Sequence, residues 1–183
     1  MDAIRKIPSS LPQVLILEPR VFGDERGFFL ESYNERVFAG IGICDRFVQD
    51  NHSRSAQNVL RGLHYQVKQT QGKLVRVVEG EVLDVAVDLR RSFQTFGKCA
   101  AVHLSGENQR MLWIPRGFAH GFLVTSPSAH VLYKATDYYA PEYERTLAWN
   151  DPELEIDWEL KDEPIVSGKD KQGVLLRYAE CFD

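Results

Sequence analysis

Between Glu81 and Leu89 the chain alternates with a period of two: Leu83, Val85, Val87 and Leu89 fall on one face, Asp84, Ala86 and Asp88 on the other. Successive side chains of an extended chain leave on opposite sides, so this repeat predicts a half-buried β-strand. Residues 73–78 read as a further strand just before it, and Glu79-Gly80 as the tight connection of a hairpin. Other strand candidates are 14–17, 28–30, 100–104, 110–114, 121–124 and 130–136, with Gly23-Asp24-Glu25-Arg26-Gly27 as a turn. One short helix is predicted over 33–39, capped by Ser32 or Asn34 and ended by the glycines at 40 and 42. From Tyr138 onward Pro, Glu, Asp and Trp predict irregular chain wrapping the sheets, with a helical turn near 152–154. Many short strands, frequent turns and little helix predict an all-β architecture, an antiparallel sandwich or barrel.

A chain of 183 residues can bury a sizeable core without staples, and one domain over 1–183 is the simplest expectation. The net charge of -4 and pI near 5.8 argue against a nucleic-acid partner, which normally demands a basic excess. Cys44, Cys99 and Cys181 are odd in number, widely spaced and without a CxxC, so neither a disulfide framework nor a zinc site is indicated. This usage fits a reducing cytoplasm. Residues 1–11 lack the apolar run of a signal peptide, and no run reaches membrane-span length, so no membrane association is expected.

Chemistry concentrates in 58–76, NVLRGLHYQVKQTQGKLVR. It reads as strand, turn and strand and carries Arg61, His64 and Lys73: a permanent cation, a group that titrates near neutrality and a mobile ammonium. If they share a cavity, it holds an anion beside a proton acceptor. A lone strand histidine is ordinarily a satisfied structural residue, but here His120 returns in Pro115-Arg116-Gly117-Phe118-Ala119-His120. That stretch resembles the P-x-G-x-x-H signature of cupin barrels, which are jelly rolls. Many cupins hold a metal through an HxH pair, a glutamate and this later histidine. His64-Tyr65-Gln66 stands where the pair would be, and a phenol and an amide do not complete that ligand set. Neither a metal nor another cofactor is expected.

VLRGLHYQ at 59–66, QGKLVR at 71–76, IPRGFAHGF at 114–122 and LYKATDYY at 132–139 resemble the dTDP-4-dehydrorhamnose 3,5-epimerase family. So do VFGDERGFFLESYN at 21–34, FVQDNHS at 47–53, WNDP at 149–152 and SGKD at 167–170. The likeness runs in order over almost the whole chain. It implies a cupin-type antiparallel jelly roll with a few short helices and a dTDP-4-keto-6-deoxy sugar substrate, epimerised at C3 and C5. Both carbons adjoin the C4 ketone, so removal of either proton gives an enolate on one shared oxygen. By resemblance His64 is the general base, Asp170 the carboxylate that hydrogen-bonds it, Tyr133 the acid on the opposite face and Lys73 the enolate stabiliser. Arg26, Arg61, His120 and Lys169 match contacts to diphosphate and sugar; Glu31, Gln49, Asn51 and Glu144 match further substrate contacts.

Taken without the family, Asp170 in a Lys-Asp-Lys run reads as solvated surface, and Tyr133 alternating with Val131 and Ala135 as strand packing. Phe22, Phe28, Tyr138 and Tyr139 are candidates to stack on thymine, and His52 is a loop histidine near the site. The resemblance also implies a homodimer, with sheets of two subunits packed together and an N-terminal strand crossing over; strand 14–17 would be an edge needing cover. Other readings are a mono-epimerase or ketoisomerase on a related sugar, a non-catalytic sugar-nucleotide-binding cupin, and, last, a metal-dependent cupin oxygenase.

Overall fold

A computed structural model describes residues 3–183; Met1 and Asp2, which the expected domain includes, lie outside the described residues. In chain order the strands are β1 Ile4–Pro8, β2 Leu15–Pro19, β3 Val21–Asp24, β4 Gly27–Leu30, β5 Gln49–Ala56, β6 Leu60–Gln66, β7 Lys73–Glu79, β8 Glu81–Asp88, β9 Cys99–Ser105, β10 Met111–Ile114, β11 Phe118–Val124, β12 Ser128–Ala135 and β13 Glu144–Thr146. A six-stranded sheet runs β1-β2-β10-β7-β12-β5 and a five-stranded sheet β13-β6-β11-β8-β9, while β3 and β4 form a separate hairpin. All strand pairs are antiparallel. This is the expected cupin-type jelly roll.

Three apolar clusters hold the layers. Between the sheets, Val75, Val77, Leu112 and Val131 of one meet Val82, Leu104, Phe118 and Phe122 of the other. Leu63, Leu83, Val85 and Leu123, on the outer face of the five-stranded sheet, are covered by Leu147, Leu154, Trp158 and Leu176 from the C-terminal chain. On the outer face of the six-stranded sheet, Leu17, Leu74 and Trp113 pack under helix α1, Glu35–Gly40, through Phe38. Asn34 caps α1, accepting from the backbone N–H groups of Arg36 and Val37.

Several expectations change. β8 is not half-buried, because Asp84 and Asp88 are as fully enclosed as the apolar residues between them. Leu83, Val85 and Val87 face the C-terminal wrap, and Val82 and Ala86 the sandwich interior, so neither face meets solvent. Nor does Glu79-Gly80 make a hairpin: β7 and β8 belong to different sheets. Only Gly80 lies between them, too few residues for a two-residue hairpin turn, and the chain turns a corner of the sandwich instead. Gly80 has φ +76, and a Cβ there would lie 2.0 Å from the Ser128 carbonyl oxygen, so only glycine fits.

The edge also moves. β2 is covered by β1 on one side and β10 on the other, which makes β1 the edge strand. β1 carries exposed Arg5 and Lys6, charges of the kind that discourage strand addition. β1, β3, β5 and β13 were not expected as strands, and of the expected turn at 23–27 only Glu25 and Arg26 lie outside β3 and β4. In β5 the inward positions are Gln49, Asn51, Ser53 and Ser55, a period of two written in polar residues and therefore invisible to a hydrophobic pattern.

Candidate active site

A cavity of about 690 Å³ opens between the sheets, lined by β5, β6, β7, β11, β12 and the segment from Ile165 to Asp170. Its central residues sit on β6 and β11. Gly62 has φ +129 and, with Gly121 opposite, allows the two backbones to approach: a Cβ on Gly62 would fall 2.5 Å from the Gly121 Cα. The register shifts beside this contact, and His64 then pairs directly with His120.

His64 and Asp170 form a close pair, Nε2 to Oδ1 at 2.5 Å. The Asp170 side chain is 3% exposed and that of His64 26%, so the carboxylate is enclosed and the imidazole reaches the cavity. Asp170 opens a short 3-10 turn, Asp170–Gln172, and its second oxygen accepts from the Ser167 hydroxyl at 2.8 Å. Burial resists its ionisation, but the hydrogen bond and charge of His64 prevail and hold the carboxyl below the usual range. A neutral His64 with its proton on Nε2 leaves the Nδ1 lone pair as a base.

Lys73 opens β7 in the opposite sheet, 8% exposed, and donates to the His64 carbonyl oxygen at 3.3 Å. Burial pulls its pKa down to about 8, against the attraction of Asp84 and Glu144. Tyr133 enters from β12, on the same sheet as Lys73 and across the cavity from the sheet that carries His64. Burial, aided by Glu144, raises its phenol above the ordinary value and keeps it protonated.

A second group rims the cavity. Glu144 accepts from Lys169 at 2.8 Å and from the Tyr139 hydroxyl at 3.0 Å. Burial opposes its charge, yet these two hydrogen bonds keep the carboxyl below its usual range. Arg61 donates through Nε to Ser55 Oγ at 2.9 Å. Gln49 links to Asn51 at 3.0 Å, while Asn51 Nδ2 and Ser53 Oγ are enclosed without a hydrogen-bond partner among the described residues.

The structure therefore brings together His64, Asp170, Tyr133, Lys73, Gln49, Asn51, Arg61, His120, Glu144 and Lys169. It does not bring Arg26 and Glu31 to this cavity. Arg26 sits at the exposed turn of the β3–β4 hairpin, paired with Asp24, and Glu31 accepts from Asn34 Nδ2 at 3.0 Å. Nor do the four stacking candidates form one cluster: Phe22 and Phe28 lie on that hairpin, lining a separate cavity of about 330 Å³. Tyr139 lines the main cavity and Tyr138 does not. His52 lies in β5, bonded to His130 at 3.0 Å, not in a loop.

Gln66, at the second position of the cupin HxH pair, is spent on structure. It donates to the carbonyls of Gln69 and Tyr138 and accepts from the Ala140 N–H. Among the described residues no group of three or more His, Cys, Asp or Glu side chains is placed to hold a metal ion, and no helix is long and apolar enough to cross a membrane. Sequence reasoning missed Ser167, which steadies Asp170, and Asp84, which lies behind His120 at 2.9 Å. An acid inside an apolar alternation was the available signal for Asp84.

Residues 8–178 match the family model described as dTDP-4-dehydrorhamnose 3,5-epimerase. The chain is 61% identical to the dTDP-4-dehydrorhamnose 3,5-epimerase of Pseudomonas aeruginosa, covering 94% of this chain and 96% of that one. Identity to the Salmonella typhimurium protein of the same name is 55%, with coverage of 94% and 96%. Among solved structures, a dTDP-6-deoxy-D-glucose-3,5-epimerase from Legionella pneumophila Philadelphia 1, in complex with dTDP-4-keto-L-rhamnose, superposes with a TM-score of 0.94. It is 53% identical, with 97% of this chain and 95% of that one covered.

Proposed function

The chain belongs to the dTDP-4-dehydrorhamnose 3,5-epimerase family, and from that premise we propose how its own residues carry the reaction. It is an isomerase that converts dTDP-4-dehydro-6-deoxy-D-glucose to dTDP-4-dehydro-L-rhamnose, in dTDP-L-rhamnose biosynthesis. The observation that carries the residue assignment is the meeting of the His64–Asp170 pair, Lys73 and Tyr133 in one cavity, with His64 and Tyr133 on opposite walls.

His64 Nδ1 takes the proton from C5 or C3, and the C–H electron pair becomes an enolate across the neighbouring C4 ketone. Asp170 stabilises the imidazolium that forms. The Lys73 ammonium faces the C4 oxygen, where charge develops in either half of the reaction, so one cation serves both carbons. Tyr133 returns a proton from the other face, inverting the centre. Its phenolate and the His64 imidazolium then regain their starting protonation through exchange with solvent. Arg61 and Lys169 neutralise the diphosphate, His120, Gln49, Asn51 and Glu144 hold the sugar nucleotide, and Tyr139 offers a flat face to thymine.

Residues 1–183 act as one domain in the cytoplasm, and the active form is a homodimer. Three features support the dimer. The β3–β4 hairpin pairs with no other described strand. It also exposes Phe22, Phe28 and Phe29, and it carries Arg26 away from its own cavity. In a dimer it brings Arg26 to the partner's diphosphate and Glu31 to another part of the partner's bound substrate.

The test is to incubate dTDP-4-dehydro-6-deoxy-D-glucose with the protein in deuterated water and locate the label by NMR. Deuterium at both C3 and C5 is expected. Label at one carbon alone would make the chain a mono-epimerase, and no label at all would refute the assignment.

A further inference from the structure

Asp84 is a charged residue in a place that has no packing use for one. It is fully buried on β8, and its ladder neighbours are Phe122 on β11 and Val102 on β9, both in the apolar interior. Among the described residues its two carboxylate oxygens accept only from His120 Nε2, at 2.9 and 3.0 Å. A carboxylate taken out of water is costly unless charge and hydrogen bonds compensate it. A valine or alanine would continue the core at no such cost.

Two consequences follow from its position. His120, with Nε2 occupied by Asp84, keeps its proton there when neutral and leaves Nδ1 as an acceptor. His64 stands directly opposite in the ladder and is held the same way by Asp170, so the histidines of two Asp-His pairs lie on neighbouring strands. The second consequence concerns Lys73, whose charge burial disfavours and Asp84 favours. The ionisable groups around it are Asp84 from β8, Glu144 from β13, Lys169 and Asp170, Arg61, His64 and Tyr65 from β6, His120 from β11, Tyr133 from β12 and Tyr139. Lys169 repels it and is itself bonded to Glu144; of the two carboxylates that favour the Lys73 charge, this leaves Asp84 as the one without a lysine or arginine partner of its own.

We propose that Asp84 is a positioning residue of this site: its carboxylate fixes the ring of His120 and supplies the counter-charge that keeps Lys73 an ammonium. The proposal rests on the epimerase reading only where activity is measured.

The experiment uses Asp84→Asn, which keeps the shape and one acceptor but loses the charge. Lysine-labelled protein is titrated by NMR, with the Lys73 signal assigned by its loss in Lys73→Met. Lys73 in the variant should lose its proton about one pH unit lower than in the native protein. The alkaline limb of kcat against pH should move down by the same interval. A structural role alone would lower the melting temperature and leave both titrations in place; an unmoved Lys73 titration overturns the proposal. In the native protein, nitrogen NMR of His120 should place its proton on Nε2 at neutral pH. A proton on Nδ1 would overturn the proposal even if the variant did not fold. The two NMR measurements need no turnover, so failure of the epimerase assignment would be seen separately, in the deuterium experiment.

Discussion

Lys73→Met should make the protein more stable while stripping it of activity. The ammonium is 8% exposed, and burial drags its pKa from 10.5 to about 8. At about 1.4 kcal/mol per tenfold, that fall means the charged side chain costs the fold about 3 kcal/mol. The sign follows from proton counting. The unfolded chain keeps the Lys73 proton up to about pH 10.5 and the folded chain only to about 8, so unfolding takes up a proton between those values. Stability therefore rises with pH across that window, and below pH 8 the full penalty is present. Methionine fills similar space without charge and removes the penalty. Urea denaturation at pH 7 should find Lys73→Met more stable than the native protein by up to about 3 kcal/mol, with the gap closing toward pH 10.5. Loss of the cation beside the enolate oxygen should lower kcat by about 10²–10³. A variant less stable at pH 7, or a gap that ignores pH, would refute this account of a strained, working ammonium.

Three further outcomes are expected. Tyr133→Phe keeps the ring packing but removes the proton donor; solvent exchange at C3 and C5 should persist while net inversion falls by about 10²-fold, measured by deuterium uptake against product formation. Asp170→Asn should cut kcat by about 10²–10³ with KM little changed, because the carboxylate acts through His64 and not on the bound sugar; a change confined to KM would contradict its role. Gly80→Val should prevent folding or cost more than about 3 kcal/mol, since a Cβ at φ +76 lies 2.0 Å from the Ser128 carbonyl oxygen, as circular dichroism and denaturation would register.

The strands that were legible are those rich in apolar residues: 15–19, 27–30, 60–66, 73–79, 81–88, 99–105, 111–114, 118–124 and 128–135. β5 escaped because its inward stripe of Gln49, Asn51, Ser53 and Ser55 faces a polar cavity and not the core. The same reversal misplaced Asp84, since an acid between apolar residues reads as solvent-facing until a second sheet closes over it. Pairing between sheets was out of reach: nothing in Glu79-Gly80 distinguishes a hairpin from a corner except the single intervening residue. Within the site, His64, Arg61 and Lys73 were legible as a short cationic cluster. Asp170 comes from over a hundred positions away, in a run that looks solvated, and only the family likeness joined it to His64. Ser167 carries no signal of its own, because a serine that steadies a carboxylate is indistinguishable in sequence from one on the surface.

One imidazole has to serve both carbons. Substituting His64 with asparagine keeps a polar group of similar size near Asp170 and removes the base, and deuterium uptake from solvent into the sugar reads the outcome directly. Both C3 and C5 should stay unlabelled over times that label the native reaction fully. Uptake at the native rate at either carbon would show that another group removes that proton.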